Sequence, residues 1–137
     1  MDTDLNYYKL CYSSCLIQKG VPFIVTYKDP TARMKKYIMP IGGCLAKALE
    51  FATGKEGILV GKPNPTIFDV ITKTFGMERS KCLMIGDNID SDILLGKNSG
   101  VDTFLVLSGV GTEEQIQEEL RKENGVVPNY YWEKCEF

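Results

Sequence analysis

The chain has 137 residues, 44% of them hydrophobic and 25% charged, with a formal net charge of −2. That length supports one ordinary domain, burying on the order of two-thirds of the surface its unfolded form would expose, and the composition is globular rather than disordered or fibrous. The charge gives no electrostatic case for nucleic acid or an anionic membrane surface as a partner, and no run approaches the ~20 apolar residues of a membrane helix.

In chain order, Asp2, Thr3 or Asp4 is placed to cap a helix through "LNYYKLCYSSCLIQK". Leu5, Tyr8, Cys11 or Tyr12, and Cys15 or Leu16 share one side of it, and Gly20 stops it. "VPFIVTY" (21–27) is short, apolar and β-branched, and predicts a buried strand. "KDPTARMKKYIMP" predicts a loop broken by Pro30 and Pro40, with Arg33, Lys35 and Lys36 as a solvated edge. A second helix fits "GGCLAKALEFATG", closed by Gly54.

From there the chain alternates. "GILV" predicts a strand, "PTIFDVITKTFG" a helix, "KCLMI" a strand and "SDILLGKNSG" a short helix. "DTFLVLSG" predicts a strand, "EEQIQEELRKEN" an exposed helix and "VPNYYW" a last strand. Strands that are apolar throughout and alternate with helices predict an α/β fold with a Rossmann-like, doubly wound parallel sheet. A boundary near residues 54–58, "GKEGI", separates a front third from the regular part.

The start "MDTDLNYYKL" lacks the basic and apolar regions of a secretion signal, so a cytoplasmic location is expected. Five cysteines, Cys11, Cys15, Cys44, Cys82 and Cys135, are expected as reduced thiols filling the core. The absence of histidine removes Ser-His-Asp and Cys-His nucleophiles and His-rich zinc sites. Acid and base work falls to carboxylates, lysine or tyrosine.

In a parallel α/β sheet, ligands sit beyond the carboxyl ends of the strands. Lys62 follows "GILV" by two residues and Asp87 follows "KCLMI" by two, each behind a glycine that lets the backbone turn close to a ligand. Asn64 and Pro65 suit the start of the next helix, whose free N–H groups favour an anion beside the lysine. Lysine, helix end and the carboxylates Asp87, Asp90 and Asp92 together describe a site for a phosphate and a hard cation. Mg2+ would relieve the repulsion among those carboxylates, being held by one or two of them plus phosphate oxygens and water. Asp92 precedes an apolar run, where it can cap the helix and steady the loop carrying Asp87.

The same aspartates are common turn formers and caps, and a lone lysine is ordinarily solvated; the pair on consecutive strand ends is what favours the site. An EF-hand fails, because its glycine falls on Ile93 and its final glutamate on Ser99. Rossmann and Walker fingerprints are absent.

"VGKPNPTIFDVI" followed by "LMIGDNIDSDILLGKNSGVDTFLVLSGV" closely resembles the haloacid dehalogenase (HAD)-like phosphatases. The resemblance, over roughly residues 20–132, is to the branch with phosphoglycolate, pyridoxal, p-nitrophenyl and NagD-type phosphatases. It implies a magnesium-dependent hydrolase of small phosphorylated metabolites. Lys62 would be the catalytic lysine that neutralises the phosphoryl group, Asp87 the magnesium ligand and Asp92 the support of its loop; Asp90 falls where the family varies.

The family's nucleophile belongs to a "DxDGT" motif after an apolar strand. Here only "DTD" at residues 2–4 precedes the site, and it leads into "LNYYKL". The chain is therefore expected to be a fragment: part of an α/β cap (1–58) and the second half of the core (59–137), inactive alone. The cap's Asn-x-Asp signature corresponds to "VTYKDP", with Tyr27 in place of asparagine and Asp29 retained as a weak substrate-side candidate next to Lys62 and Asn64. A sheet lacking the nucleophile strand exposes an edge that invites association into a homo-oligomer. The alternative reading is a non-catalytic phosphate- and metal-binding or interaction module derived from this fold.

Overall fold

The computed structural model describes residues 4–34 and 36–133. Its backbone separates into two units, Met1–Val60 and Gly61–Phe137.

In the first unit, helix α1 spans Tyr7–Gln18 and helix α2 spans Gly42–Thr53. The cap of α1 is Asn6, whose side chain accepts from Lys9 N at 3.0 Å. This corrects the expected aspartate or threonine cap. Asp4 accepts from the Lys9 ammonium at 3.3 Å, while Asp2 and Thr3 lie outside the described residues. The packed face of α1 differs from expectation in part: Ile17 is buried and Leu10, Ser13, Ser14 and the expected Leu16 are half-buried, whereas Leu5, Tyr8, Tyr12, Cys11 and Cys15 face solvent. The face is rotated toward the serines, which a hydrophobicity pattern passes over. Cys11 and Cys15 are thus not core thiols, Cys44 and Cys82 are half-buried, and Cys135 lies outside the described residues.

Strand β1, Ile24–Val25, is shorter than expected and pairs in parallel with β4, Ile58–Leu59, with Ile24 opposite Ile58. Gly57 permits the approach, since a Cβ there would overlap Val25 Cγ2. The segment expected as a loop is a hairpin instead: β2, Thr31–Met34, runs antiparallel to β3, Tyr37–Pro40. Pro30 and Pro40 bound it rather than break it, Pro40 standing at the strand end where its missing N–H does least harm. Lys36 is exposed as expected; Lys35 and the Arg33 side chain lie outside the described residues. Helix α2 ends at Gly54, whose φ of 66° is the left-handed conformation that glycine adopts without strain.

The second unit begins with α3, Thr66–Phe75, followed by a 3-10 turn at Arg79–Lys81. A parallel sheet of β5 (Leu83–Gly86), β6 (Asp102–Val106) and β7 (Tyr130–Trp132) follows, in the order β5-β6-β7. Helices α4, Leu94–Ser99, and α5, Glu113–Leu120, complete it. The fold is the expected α/β class with a parallel sheet, with one correction. "GILV" was expected in the same sheet as "KCLMI", yet β4 pairs with β1 and β5 pairs with β6. A short apolar run announces a strand without announcing its partner.

The core of this unit is Ile89, Ile93, Leu105 and Ile116, all at most 5% exposed. Thr103 is fully buried between the sheet and α4, and its hydroxyl is satisfied on both sides: it donates to Asn129 Oδ1 at 2.9 Å and accepts from Asn129 N at 3.0 Å. This ties the chain entering β7 to β6.

Candidate active site

The sequence "GDNIDSDI" leaves β5 and enters a π-helical turn, Ile89–Ile93, that runs into α4. The cap of this turn is Asn88, whose side chain accepts from Asp90 N at 2.9 Å and Ser91 N at 3.2 Å. Asp92 was expected as the cap; it lies one turn further on. Its carboxylate turns back toward β5, and only glycine fits at position 86, because a Cβ there would overlap the Asp92 side chain.

Asp92 is 3% exposed. Its Oδ2 accepts from the backbone N–H groups of Asp87 and Asn88, each at 3.2 Å. Its Oδ1 receives the Lys62 ammonium at 2.6 Å. One buried carboxylate thus joins the lysine at the entrance of the unit to the backbone that carries Asp87. A carboxylate at this depth is tolerable because both oxygens have donors.

The Asp87 side chain is held by a segment to which the sequence reading gave no role. Val110 N donates to Asp87 Oδ2 at 3.1 Å and Gly111 N donates to the Asp87 carbonyl at 2.6 Å. Gly109 allows this closeness, since a Cβ there would overlap the Asp87 carboxylate. The signal was present as two glycines in "SGVG" directly after β6. Among the described residues Asp87 Oδ1 has no hydrogen-bond donor, so one carboxylate oxygen is open.

Asn64 Oδ1 accepts from both Thr66 N, at 2.9 Å, and Thr66 Oγ1, at 2.6 Å. The first N–H of α3 is therefore taken by Asn64, and those of Ile67 and Phe68 follow it. Asp90 is exposed and borders a polar cavity of about 220 Å3 with Glu118, Glu119 and Lys122. There the hydrogen bond from Lys122 holds the Glu119 carboxyl below the ordinary glutamate range, helped by Val126 N. Asp29 belongs to the first unit, where its carbonyl accepts from Gly43 N at 3.1 Å. Tyr27, the departure from asparagine, caps α2 through its hydroxyl oxygen, which accepts from Gly42 N at 3.2 Å.

Among the described residues no three carboxylate or cysteine groups converge as a metal cage. The donor set fits Mg2+ in another way: one open Asp87 oxygen suits an ion that takes one or two carboxylates and fills its remaining positions with phosphate oxygens and water.

A family profile described as HAD-hydrolase-like matches residues 59–132. Phosphoglycolate phosphatase 2 of Arabidopsis thaliana is 39% identical over 134 residues, covering 96% of this chain and 44% of that protein. Human chronophin is 41% identical over 95 residues, covering 69% of this chain and 32% of that protein. Among solved structures, a 4-nitrophenylphosphatase from Thermotoga maritima superposes with a TM-score of 0.82 at 34% identity, covering 97% of this chain and 49% of that one. The chain thus spans less than half the length of these curated relatives and about half of the solved structure.

Proposed function

The chain belongs to the HAD-like hydrolase family, and from that premise we propose that it is the part of a magnesium-dependent phosphatase that binds the phosphoryl group and the metal. Its substrates are small phosphate monoesters of the phosphoglycolate or p-nitrophenyl phosphate kind. The observation that carries this reading is the Lys62–Asp92 pair at 2.6 Å, locked to the Asp87 loop through the other Asp92 oxygen.

Lys62 supplies positive charge to the phosphoryl oxygens. Asp92 sets the position of the Lys62 ammonium and keeps the turn that presents Asp87 in shape. The loop after β6 aims the Asp87 carboxylate through Val110 N. Asp87 would hold Mg2+, which when bound supplies charge neutralisation to the phosphate oxygens. Asn64 shapes the α3 entrance, and Asp29 is a weak substrate-side candidate.

The carboxylate nucleophile of the family's covalent chemistry has no counterpart in this chain's motifs. "DTD" at residues 2–4 lies largely outside the described residues, and Asp4 faces Lys9. The chain alone is therefore expected to give no turnover of p-nitrophenyl phosphate with Mg2+. Turnover by the chain alone that Asp87→Ala abolishes would refute that incompleteness. The missing nucleophile also favours a second reading, a module that binds phosphate and metal without hydrolysis. Supplying the part of a relative that this chain does not match separates the two: the phosphatase gains turnover that depends on Lys62 and Asp87, and the module gains none.

A further inference from the structure

Helix α1 carries a pair of nucleophilic side chains that the candidate active site does not use. Cys11 and Cys15 stand four residues apart on it, and both are exposed. Four residues are close to one helical turn, so the two thiols rise from neighbouring positions on one face, with the exposed Tyr7 the next position toward the N-terminus. The side chains on this face meet: hydrogen bonding to Cys11 raises the Tyr7 hydroxyl above the ordinary tyrosine range. The other described thiols are placed differently. Cys44 and Cys82 are half-buried, and each donates its S–H to a backbone carbonyl, of Pro30 at 3.0 Å and of Glu78 at 3.2 Å.

The spacing decides what such a pair can bind. Side chains four apart on a helix have Cβ atoms about 5–6 Å apart, whereas a disulfide needs about 3.5–4.5 Å, so the two thiols do not join while α1 is helical. An ion that bonds both sulfurs in a line holds them about 4–5 Å apart, twice a metal–thiolate bond. Rotation about χ1 brings the sulfurs to that span. A structural zinc site takes four ligands. Among the described residues no three cysteine or carboxylate groups converge, and the chain has no histidine. Two soft thiolates without further ligands select Cu(I) over harder cations.

We propose that Cys11 and Cys15 form a two-thiolate site for Cu(I) on the exposed face of α1. On binding, two S–Cu bonds form and two thiol protons pass to solvent, while copper stays Cu(I) and no electron is transferred. Helical side chains lean toward the N-terminus, so the Cys15 sulfur lies over the turn that carries Cys11 and the pair closes on the ion without unwinding α1. The Tyr7 hydroxyl, a hard oxygen donor, stays outside the pair. The site belongs to the first unit, whereas Lys62 and Asp87 belong to the second. It stands independently of the phosphatase reading, and its test reads no turnover.

The full chain, reduced and anaerobic, is titrated with Cu(I) in competition with the chromophoric chelator bicinchoninate. Circular dichroism, sedimentation velocity and copper X-ray absorption are recorded on the loaded chain. The expected result is one Cu(I) per chain, with two sulfur neighbours and unchanged helix content. Cys11→Ser and Cys15→Ser, conservative changes at exposed positions, should each keep the circular dichroism spectrum and weaken Cu(I) binding at least tenfold. Cys44→Ser, Cys82→Ser and Cys135→Ser, made singly, should bind as wild type does, and equimolar Zn2+ should leave the copper in place. The proposal is overturned if the chain takes no copper from the chelator, if Cys11→Ser or Cys15→Ser binds as wild type does, or if the copper joins two chains. Three sulfur neighbours, displacement by equimolar Zn2+, or lost binding in a folded Cys135→Ser chain overturn it equally.

Discussion

Replacing Asp92 tests the join between Lys62 and the Asp87 loop, and its cost can be worked out from the partners it loses. Asp92→Ala leaves the N–H groups of Asp87 and Asn88 without their acceptor in a partly buried turn, at about 1 kcal/mol each. It also removes the ion pair with Lys62, whose side chain is 42% exposed and so mostly screened, adding about 1 kcal/mol at most. The total is about 2–3 kcal/mol. Asp92→Asn keeps a carbonyl oxygen for the two N–H groups and loses the ion pair, for about 1 kcal/mol or less. The assay is urea unfolding with an unchanged m value, in which only the midpoint moves. Lys62→Met leaves both N–H bonds intact but strips Oδ1 of the buried Asp92 carboxylate of its donor, so it should cost more than Asp92→Asn, which removes the charge itself. The reasoning fails if Asp92→Ala unfolds at the wild-type midpoint, or if Lys62→Met costs less than Asp92→Asn.

Other outcomes follow from the same geometry. Gly109→Ala places a Cβ on the Asp87 carboxylate and should weaken Mg2+ binding by calorimetry with little change in the melting temperature; unaltered affinity would show that the carboxylate's position is unimportant. Gly43→Ala drives a Cβ into the carbonyls of Lys28 and Asp29; because those are backbone atoms that cannot swing aside, it should destabilise the first unit, seen as lost hydrogen-exchange protection in α2. The Glu119 carboxyl is held below its ordinary range by Lys122 and Val126 N. Its contribution to stability is therefore full above the unfolded-state value and disappears as the pH falls through the lowered folded value. Glu119→Gln should flatten the acid limb of the stability profile, and an unchanged limb would exclude that role.

Much of the architecture was legible in the sequence. Gly54 and Gly76 marked the ends of α2 and α3, where they adopt φ of 66° and 63°, and the apolar runs "KCLMI" and "DTFLV" became β5 and β6. Lys62 and Asp87 were legible as candidates because a glycine before a polar residue at a strand end is an economical pattern. Their link through Asp92 needed coordinates: nothing in a linear spacing says that the carboxylate five residues after Asp87 folds back onto its N–H. The hairpin at residues 31–40 was hidden because two prolines and three basic residues look like loop. The packed face of α1 was misread because aromatic residues set the hydrophobic pattern while the serines face the neighbour.

Lys62, Asp87 and Asp92 together carry one net negative charge, which repels a phosphate dianion, and bound Mg2+ turns that sum positive. If Lys62 and Asp87 act on a single oxyanion, phosphate should bind the chain only with Mg2+ present, and each ligand should strengthen the other to the same degree. The most direct measurement is calorimetric titration of inorganic phosphate into the chain with and without millimolar Mg2+, for wild type, Lys62→Met and Asp87→Asn. Saturable binding in wild type with Mg2+, lost without the metal and in each variant, is the predicted result. Binding that survives both substitutions, or no saturable binding in wild type with Mg2+, would contradict it.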